Sequence, residues 1–159
     1  MKTLLAALLA AALPAAASEL VSFPDNRPQQ RSQTGAPVTV INLWAAWCAP
    51  CRKEMPLMSA WYAKQPKGSV ALIGIALDSE ANIARFLRTT PVNYPVWRYT
   101  GNDSRAWMNA LGNTVGGIPY TLIEARNCSF KHSITGEVDG KKLDEAVKLV
   151  RSRCKTARR

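Results

Sequence analysis

The chain has 159 residues, of which 47% are hydrophobic and 20% charged. These values are ordinary for a globular protein, and the length suggests one domain with a real core rather than several domains. The formal net charge is +10, but no basic motif with interleaved aromatic residues appears, so nucleic acid is not expected as a partner.

The first residues form a leader that precedes the folded part. Lys2 gives a positive start, and Leu4–Leu13 is a nearly continuous run of Leu and Ala. Ala15 and Ala17 have the small-residue spacing that signal peptidases read, which predicts a cleaved signal peptide over residues 1–17. A membrane anchor or a buried helix is the alternative, but the run is shorter than the roughly 20 residues that span a bilayer, and Pro14 would break a helix there. Export to an oxidising compartment, the periplasm, is therefore expected.

The rest of the chain alternates between predicted strands and helices. Ser18–Ala36 is polar and is expected to be irregular apart from a short strand near Leu20–Phe23. Continuous apolar runs indicate buried strands, and apolar residues three and four apart indicate helices. The further predicted elements are strand Val38–Trp44, helix Pro50–Lys64, strand Val70–Leu77, a helix capped by Ser79, strand Tyr94–Tyr99, a short helix ending at Gly112, a hairpin of Pro119–Ala125 and Ser129–Ile134, and a helix starting at Asp139. This order predicts an α/β fold, with a mixed central sheet covered by helices on both faces.

The four cysteines fall into a close pair and a distant pair. In an exported chain an even number of cysteines indicates disulfides, and four cysteines allow three pairings. Cys48 and Cys51 are separated by two residues, which is the spacing of a redox motif, whereas Cys128 and Cys154 lie far apart along the chain.

The close pair lies where a buried strand is followed by a helix. Cys48 comes at or just before the first helical turn, so its sulfur faces free backbone N–H groups. Those donors and the helix dipole stabilise a thiolate, which is the attacking species in disulfide exchange. Cys51 can then close onto Cys48 and expel a bound partner. Pro50 suits this position because its missing N–H costs nothing at the start of a helix.

Two other interpretations of this motif remain. A zinc site would need two further ligands from Cys128, His132 and Cys154, and export into an oxidising space argues against it. A purely structural disulfide would contribute little, because so short a loop has little closure entropy. Redox exchange is favoured, and neither a metal nor an organic cofactor is expected.

Ala45–Cys51, with the sequence AAWCAPC, closely resembles the active site of the thioredoxin superfamily. The longer stretch Val40–Pro56 resembles its exported thiol:disulfide interchange branch, the TlpA-like proteins, which include reductases serving cytochrome c maturation. The resemblance covers about Val38–Val150. It implies a thioredoxin-like fold in which Asp78–Thr100 corresponds to an additional strand-and-helix insertion.

The same resemblance implies roles for individual residues. Cys48 corresponds to the nucleophile and Cys51 to the resolving thiol. Ile118 and Pro119 correspond to the family's cis-proline loop, which faces the two cysteines, and the Ile118 backbone is expected to pair with the client chain. Trp47 is expected to line the substrate surface. A turn proline without a function is the alternative for Pro119.

Glu54 is a candidate proton carrier. Asn42 occupies the position where cytosolic thioredoxins have a buried aspartate that handles the proton of the second cysteine, and an amide cannot act as that base. Glu54 follows Cys51 by three residues on the same helix face, and the TlpA-like branch often has a glutamate there. The hypothesis is that Glu54 manages the proton of Cys51, and an exposed surface carboxylate is the alternative.

The distant cysteines are predicted to form a structural disulfide. The last helix, about 16 residues up to Cys154, spans about 24 Å at 1.5 Å per residue. The preceding strand and its exit cover a similar length at about 3.3 Å per residue, so the helix returns to the hairpin turn beside Cys128. A Cys128–Cys154 bond could contribute about 3 kcal/mol, and a second redox pair is the alternative.

These features predict an exported, monomeric thiol:disulfide oxidoreductase that reduces protein disulfides. The resemblance implies a membrane thiol-reductant carrier as electron donor, and apocytochrome c or other exported protein thiols as substrates. A disulfide oxidase or isomerase on the same fold is one alternative, and a non-catalytic binding module is another. The expected divisions are an N-terminal segment (18–36), a thioredoxin-like domain (37–154) and a basic tail (155–159). The tail could contact an anionic membrane surface, and a solvated, frayed terminus is the favoured alternative.

Overall fold

The computed structural model describes residues 18–156, so the predicted signal peptide and the last three residues of the basic tail lie outside the described residues. The elements in chain order are β1 (Leu20–Ser22), a 3-10 turn (Arg31–Gln33), β2 (Val38–Trp44), α1 (Ala49–Ala63), β3 (Ala71–Ala76), α2 (Glu80–Thr89), β4 (Val96–Tyr99), α3 (Ser104–Ala110), β5 (Tyr120–Ala125), β6 (Lys131–Thr135) and α4 (Gly140–Thr156). No helix within the described residues is long and apolar enough to cross a bilayer.

The six strands of residues 18–156 form one mixed sheet with the order β1-β4-β3-β2-β5-β6. The three central strands β2, β3 and β4 are parallel, whereas β1, β5 and β6 run antiparallel to the strands they join. Parallel neighbours require long crossovers, and α1 and α2 provide them. The α/β fold predicted from the sequence is confirmed, including the insertion, which comprises α2 and β4.

The central strand β2 is buried on both faces, as its continuous apolar sequence predicts. Val40 packs in a cluster with residues of α1 and α4, including Met58 and Leu143. Its neighbour Ile41 faces the other side of the sheet, where Met108 of α3 is part of the cluster. Helices therefore cover both faces of the sheet.

The ends of several elements differ from the predicted ends by one or two residues. Strand β4 begins at Val96 rather than at Tyr94, because Pro95 has no N–H to donate to a neighbouring strand. Pro95 still contributes its carbonyl oxygen, which accepts from the N–H of Gly74 at 3.0 Å. The second hairpin strand begins at Lys131 rather than at Ser129.

The segment before β2 contributes to the sheet and to the core. Strand β1 pairs antiparallel with β4, with Leu20 opposite Tyr99, and thereby covers the edge of the inserted strand. Leu20 and Ala36 are both buried. The segment also contains the 3-10 turn at Arg31–Gln33, which sequence analysis did not predict.

Candidate active site

The two close cysteines form a disulfide at the start of α1, with their Cα atoms 5.3 Å apart. Cys48 is the N-cap residue of this helix, and its Sγ accepts a hydrogen bond from the N–H of Cys51 at 3.3 Å. Cys51 is fully buried and Cys48 is 4% exposed. When the pair is reduced, the N–H groups of the first turn favour negative charge on the Cys48 sulfur.

The loop that leads into the disulfide is held by a carboxylate from the next strand-to-helix connection. Asp78 accepts a hydrogen bond from the N–H of Ala46 at 2.9 Å with Oδ2. Its Oδ1 accepts from the N–H of Ser79 and from Nδ2 of Asn82 at the start of α2. Trp47, the residue between this anchor and Cys48, is 71% exposed and provides a large apolar surface beside the disulfide.

The loop before β5 brings Ile118 and Pro119 to the same place. The Ile118–Pro119 peptide bond is cis, and Ile118 packs against the apolar cluster that contains Cys48 and Cys51. The carbonyl oxygen of Pro119 accepts from the N–H of Gly136. Within the described residues the backbone of Ile118 has no hydrogen-bond partner, which leaves its N–H and C=O available to another chain.

A buried asparagine, which sequence analysis did not single out, holds this loop. Asn113 is 2% exposed, and its Nδ2 donates to the carbonyl oxygen of Gly117 at 2.8 Å. Its Oδ1 accepts from the N–H of Gly116 at 3.0 Å. The only local signal is its position directly after Gly112, where a helix ends, and that position does not reveal which loop the side chain holds.

Glu54 is buried on the inner face of α1, with 1% of its surface exposed, so it is not the surface carboxylate that was the alternative. Its Oε1 accepts from Nδ2 of Asn42 at 2.7 Å, and its Oε2 accepts from the N–H of Val138 at 2.9 Å. Burial raises the pKa of Glu54 to about 7, although the hydrogen bonds from Val138 and Asn42 lower it. A carboxyl group that is half protonated near neutral pH can both accept and return a proton.

Further polar groups surround this carboxyl group. Asn42 also donates from Nδ2 to Thr121 at 3.2 Å, which links α1, β2 and β5 through buried side chains. The Oδ1 of Asn42 and the hydroxyl of Tyr94 are buried and have no hydrogen-bond partner among residues 18–156. Burial, and then the negative charge of Glu54, raise the pKa of Tyr94. Sequence analysis did not assign Tyr94 or Thr121 to the site.

The other cysteines form the second disulfide, Cys128–Cys154, with their Cα atoms 5.7 Å apart. It joins the turn after β5 to the end of α4, and Cys154 lies beside Val38, where β2 begins. Because Cys48 follows the other end of β2, the two disulfides lie at opposite ends of the molecule. Within residues 18–156, no three His, Cys, Asp or Glu side chains are grouped so that they could hold a metal ion.

Comparison with known proteins places this chain among thioredoxin-like relatives. Residues 15–124 match the model of the AhpC/TSA family. A thioredoxin-related protein from Neisseria meningitidis serogroup B is 56% identical and superposes with a TM-score of 0.81, over 84% of this chain and 99% of that one. StoA from Bacillus subtilis, at 20% identity and a TM-score of 0.62 over 79% of this chain and 92% of that one, shares the fold.

Two curated relatives are named thiol-disulfide oxidoreductase ResA. The protein from Oceanobacillus iheyensis is 32% identical over 121 residues, which are 76% of this chain and 60% of the relative. The protein from Geobacillus thermodenitrificans is 25% identical over 112 residues, which are 70% of this chain and 62% of the relative. The chain therefore spans less than two thirds of the length of these relatives.

Proposed function

The chain belongs to the AhpC/TSA family of thioredoxin-like proteins, and we propose that it is a thiol:disulfide oxidoreductase that reduces disulfides of exported proteins through Cys48 and Cys51. One observation carries this proposal: Cys48 is the N-cap of α1, bonded to Cys51, and the N–H of Cys51 points at its sulfur. The names of the ResA relatives support the same chemistry.

The proposed reaction transfers two electrons from the cysteine pair to the client. The Cys48 thiolate attacks one sulfur of a client disulfide, so that the client bond breaks, a mixed disulfide forms and the other client sulfur leaves as a thiolate. The Cys51 thiolate then attacks the Cys48 sulfur. This step forms the Cys48–Cys51 bond and releases the second client thiol. The disulfide form is thus the oxidised state, and a donor must reduce it for another cycle.

In this proposal Glu54 takes the proton of Cys51. The two residues are both buried and lie one turn apart on α1, where water cannot readily serve as base. The pKa of Glu54, raised to about 7 by burial, suits a group that exchanges a proton near neutral pH. Glu54→Gln should therefore slow exchange and flatten the dependence of its rate on pH between 6 and 8, while Glu145→Gln on the surface should not. An unchanged pH–rate profile would exclude the role.

Trp47, Ile118 and Pro119 are proposed to form the surface that receives the client. Trp47 is exposed beside the disulfide, and the Ile118 backbone is available to pair with an extended client segment. Pro119 is proposed to organise this loop, and its carbonyl oxygen is already occupied by Gly136. The Cys128–Cys154 disulfide is proposed to be structural, because it lies at the other end of the sheet.

The finer assignments rest on the leader and on the resemblance to TlpA-like proteins. We infer cleavage after Ala17, a periplasmic location and a monomeric domain over residues 37–154, with the segment 18–36 at its edge. The electron donor is a membrane thiol-reductant carrier, and the clients are apocytochrome c or other exported proteins that need reduced thiols. The basic tail, residues 155–159, is proposed to contact an anionic membrane surface.

Reduction of insulin by dithiothreitol tests the activity, because turbidity reports the released chains. The mature protein should accelerate the reaction, and Cys48→Ser should abolish the acceleration. Cys51→Ser, reduced first and then mixed with insulin without dithiothreitol, should accumulate a mixed disulfide on Cys48. A wild-type protein with no acceleration would favour a binding module and refute the proposal. The potential of the pair, measured against glutathione, tests the direction, and a value near that of strong oxidants would indicate an oxidase.

A further inference from the structure

An open groove lies directly beside the cysteine pair and has a volume of about 400 Å³. It is lined by Ala46, Trp47, Arg52, Asn82, Arg85, Phe86 and Thr89, and we call it the arginine groove. A smaller hollow of about 310 Å³ shares Arg52 and Phe86 with it and adds Lys53. The two hollows therefore form one continuous surface between α1 and α2.

The arginine groove begins at the reactive cysteine. Ala46 and Trp47 are the two residues that precede Cys48, and Arg52 lies one helical turn after it. The N–H of Arg52 donates to the carbonyl oxygen of Cys48 at 3.1 Å, which fixes the start of this turn. A client chain bonded to Cys48 would therefore have neighbouring residues within reach of the groove.

The charge of the groove is positive and is not neutralised by carboxylates. Among the described residues, neither Arg52 nor Arg85 has a carboxylate oxygen within 4.0 Å, whereas Arg31, Arg98 and Lys131 all do. The guanidinium of Arg52 instead lies over the ring of Phe86, 5.5 Å from its centroid. Arg85 donates from Nη1 to Asn82 at 3.4 Å.

Asp78 touches two lining residues, but it forms no ion pair with Arg52 or Arg85. Its oxygens accept from the N–H groups of Ala46 and Ser79 and from Nδ2 of Asn82. These three donors point into the loop and the start of α2. Asp78 therefore leaves the charges of Arg52 and Arg85 available to a ligand.

The groove combines this charge with apolar surface. Phe86 forms part of its floor, and the exposed ring of Trp47 forms a wall next to Cys48. A guanidinium held over an aromatic ring loses little freedom when it binds a carboxylate, since its position is already restricted. Apolar walls with cations at the rim fit a peptide segment that carries acidic side chains.

We propose that the arginine groove selects clients by binding an acidic segment of the client protein next to its reactive cysteine. This inference rests on the proposed function, because the client must reach Cys48. The carboxylates of the segment pair with Arg52 and Arg85, and the groove thereby orients the client disulfide towards the Cys48 sulfur. Clients with Asp or Glu close to the disulfide are reduced faster than neutral ones.

Two synthetic peptide disulfides, identical except for Asp or Asn at the residues flanking one cysteine, test the inference. Their reduction by the full mature protein is compared as the ratio of kcat/KM for the acidic and the neutral peptide. Exposed ion pairs each change affinity about two- to fivefold, so two arginines predict a ratio of about ten at low salt. The ratio should fall towards one in 1 M salt, where the Debye length is about 3 Å.

The double variant Arg52→Gln and Arg85→Gln should reduce the ratio to about one. Arg153→Gln is the matched control. The guanidinium of Arg153 also lies over an aromatic ring, 5.3 Å from the centroid of Phe130, but next to Cys154 at the other end of the molecule. Loss of two positive charges could also change the reactivity of the Cys48 thiolate. Such a change affects both peptides equally, so it cancels in the ratio of their kcat/KM values. A wild-type ratio of one, or an equal loss in Arg153→Gln, overturns the inference.

The same assay separates this inference from the proposed function. If neither peptide is reduced, the oxidoreductase assignment fails. If both peptides are reduced equally, the oxidoreductase assignment stands and the acidic-client groove does not. Oxidised glutathione, a small disulfide with four carboxylates, tests a small anionic occupant. If its reduction depends on Arg52 and Arg85 and that of the acidic peptide does not, the inference is also overturned.

Discussion

The buried carboxyl group of Glu54 makes a quantitative prediction about the stability of the oxidised protein. Its pKa is about 7 in the folded chain, against an ordinary value of 4.5. The folded chain thus holds this proton more tightly than the unfolded chain does. Stability from this group is fully present below pH 4.5 and is lost as the pH rises to about 7. At 1.36 kcal/mol per pH unit, the loss is about 3 kcal/mol.

Glu54→Gln should remove this pH-dependent part of the stability while keeping a side chain that can form hydrogen bonds at position 54. The amide oxygen of glutamine can still accept from the N–H of Val138. Its amide N–H₂ can donate to Oδ1 of Asn42, which is buried and unpaired within the described residues, after a rotation of the Asn42 side chain. The variant should therefore fold. The difference in unfolding free energy, variant minus wild type, should be about 3 kcal/mol more positive above pH 7 than at pH 4.5.

Urea unfolding of both proteins between pH 4 and pH 8 measures this difference. The oxidised form is used throughout, so that no thiol titrates. Subtracting the curves cancels the groups that both proteins share, and Glu145→Gln, on the surface of α4, controls for loss of an exposed carboxylate. The reasoning is refuted if wild type and Glu54→Gln run parallel across the whole pH range, because Glu54 would then titrate normally in the folded protein.

Three further outcomes follow from the contacts described above. Replacing Cys128 and Cys154 together by Ser should lower the unfolding free energy by about 3 kcal/mol, given their separation of 26 residues, and should leave insulin reduction intact. Asn113→Ala should lower kcat/KM and cost about 1–3 kcal/mol in urea unfolding, because it frees the Gly117 carbonyl. Trp47→Ala should change the unfolding free energy by less than about 0.5 kcal/mol, because the ring is exposed, but should raise KM.

The sequence predicts the elements whose signal is local. Strand β2 has the predicted bounds Val38–Trp44, because a continuous apolar run needs no knowledge of its neighbours to be recognised as buried. The N-cap position of Cys48 is also predicted from a local signal, because Pro50 favours the first turn of a helix. Strand β4 is shorter than predicted because the missing N–H of Pro95 outweighs the β-propensity of Tyr94.

The environment of Glu54 depends on contacts between distant parts of the chain. The spacing of Cys51 and Glu54 placed them on one helix face, but burial of Glu54 depends on the segment before α4, which brings Val138 to it. A helix sequence alone cannot distinguish a buried carboxylate from a surface one, since both fit the same spacing. The arginine groove also depends on contacts between distant parts of the chain. Arg52 and Arg85 belong to different helices, and only packing of α2 against α1 brings them together.

The carboxylate of Asp78 ties the inserted segment to the loop before Cys48, which matters for the design of a shortened domain. One side chain accepts the N–H of Ala46 in the cysteine loop and also fixes the first residues of α2. Excising the insertion to obtain a minimal domain would therefore leave the Ala46 amide without its acceptor, two positions from the reactive sulfur. Exchange of Ala49 and Pro50 for another dipeptide leaves the hydrogen bond between Ala46 and Asp78 in place. Changing the residues between the two cysteines should therefore disturb this loop less than removing α2 does.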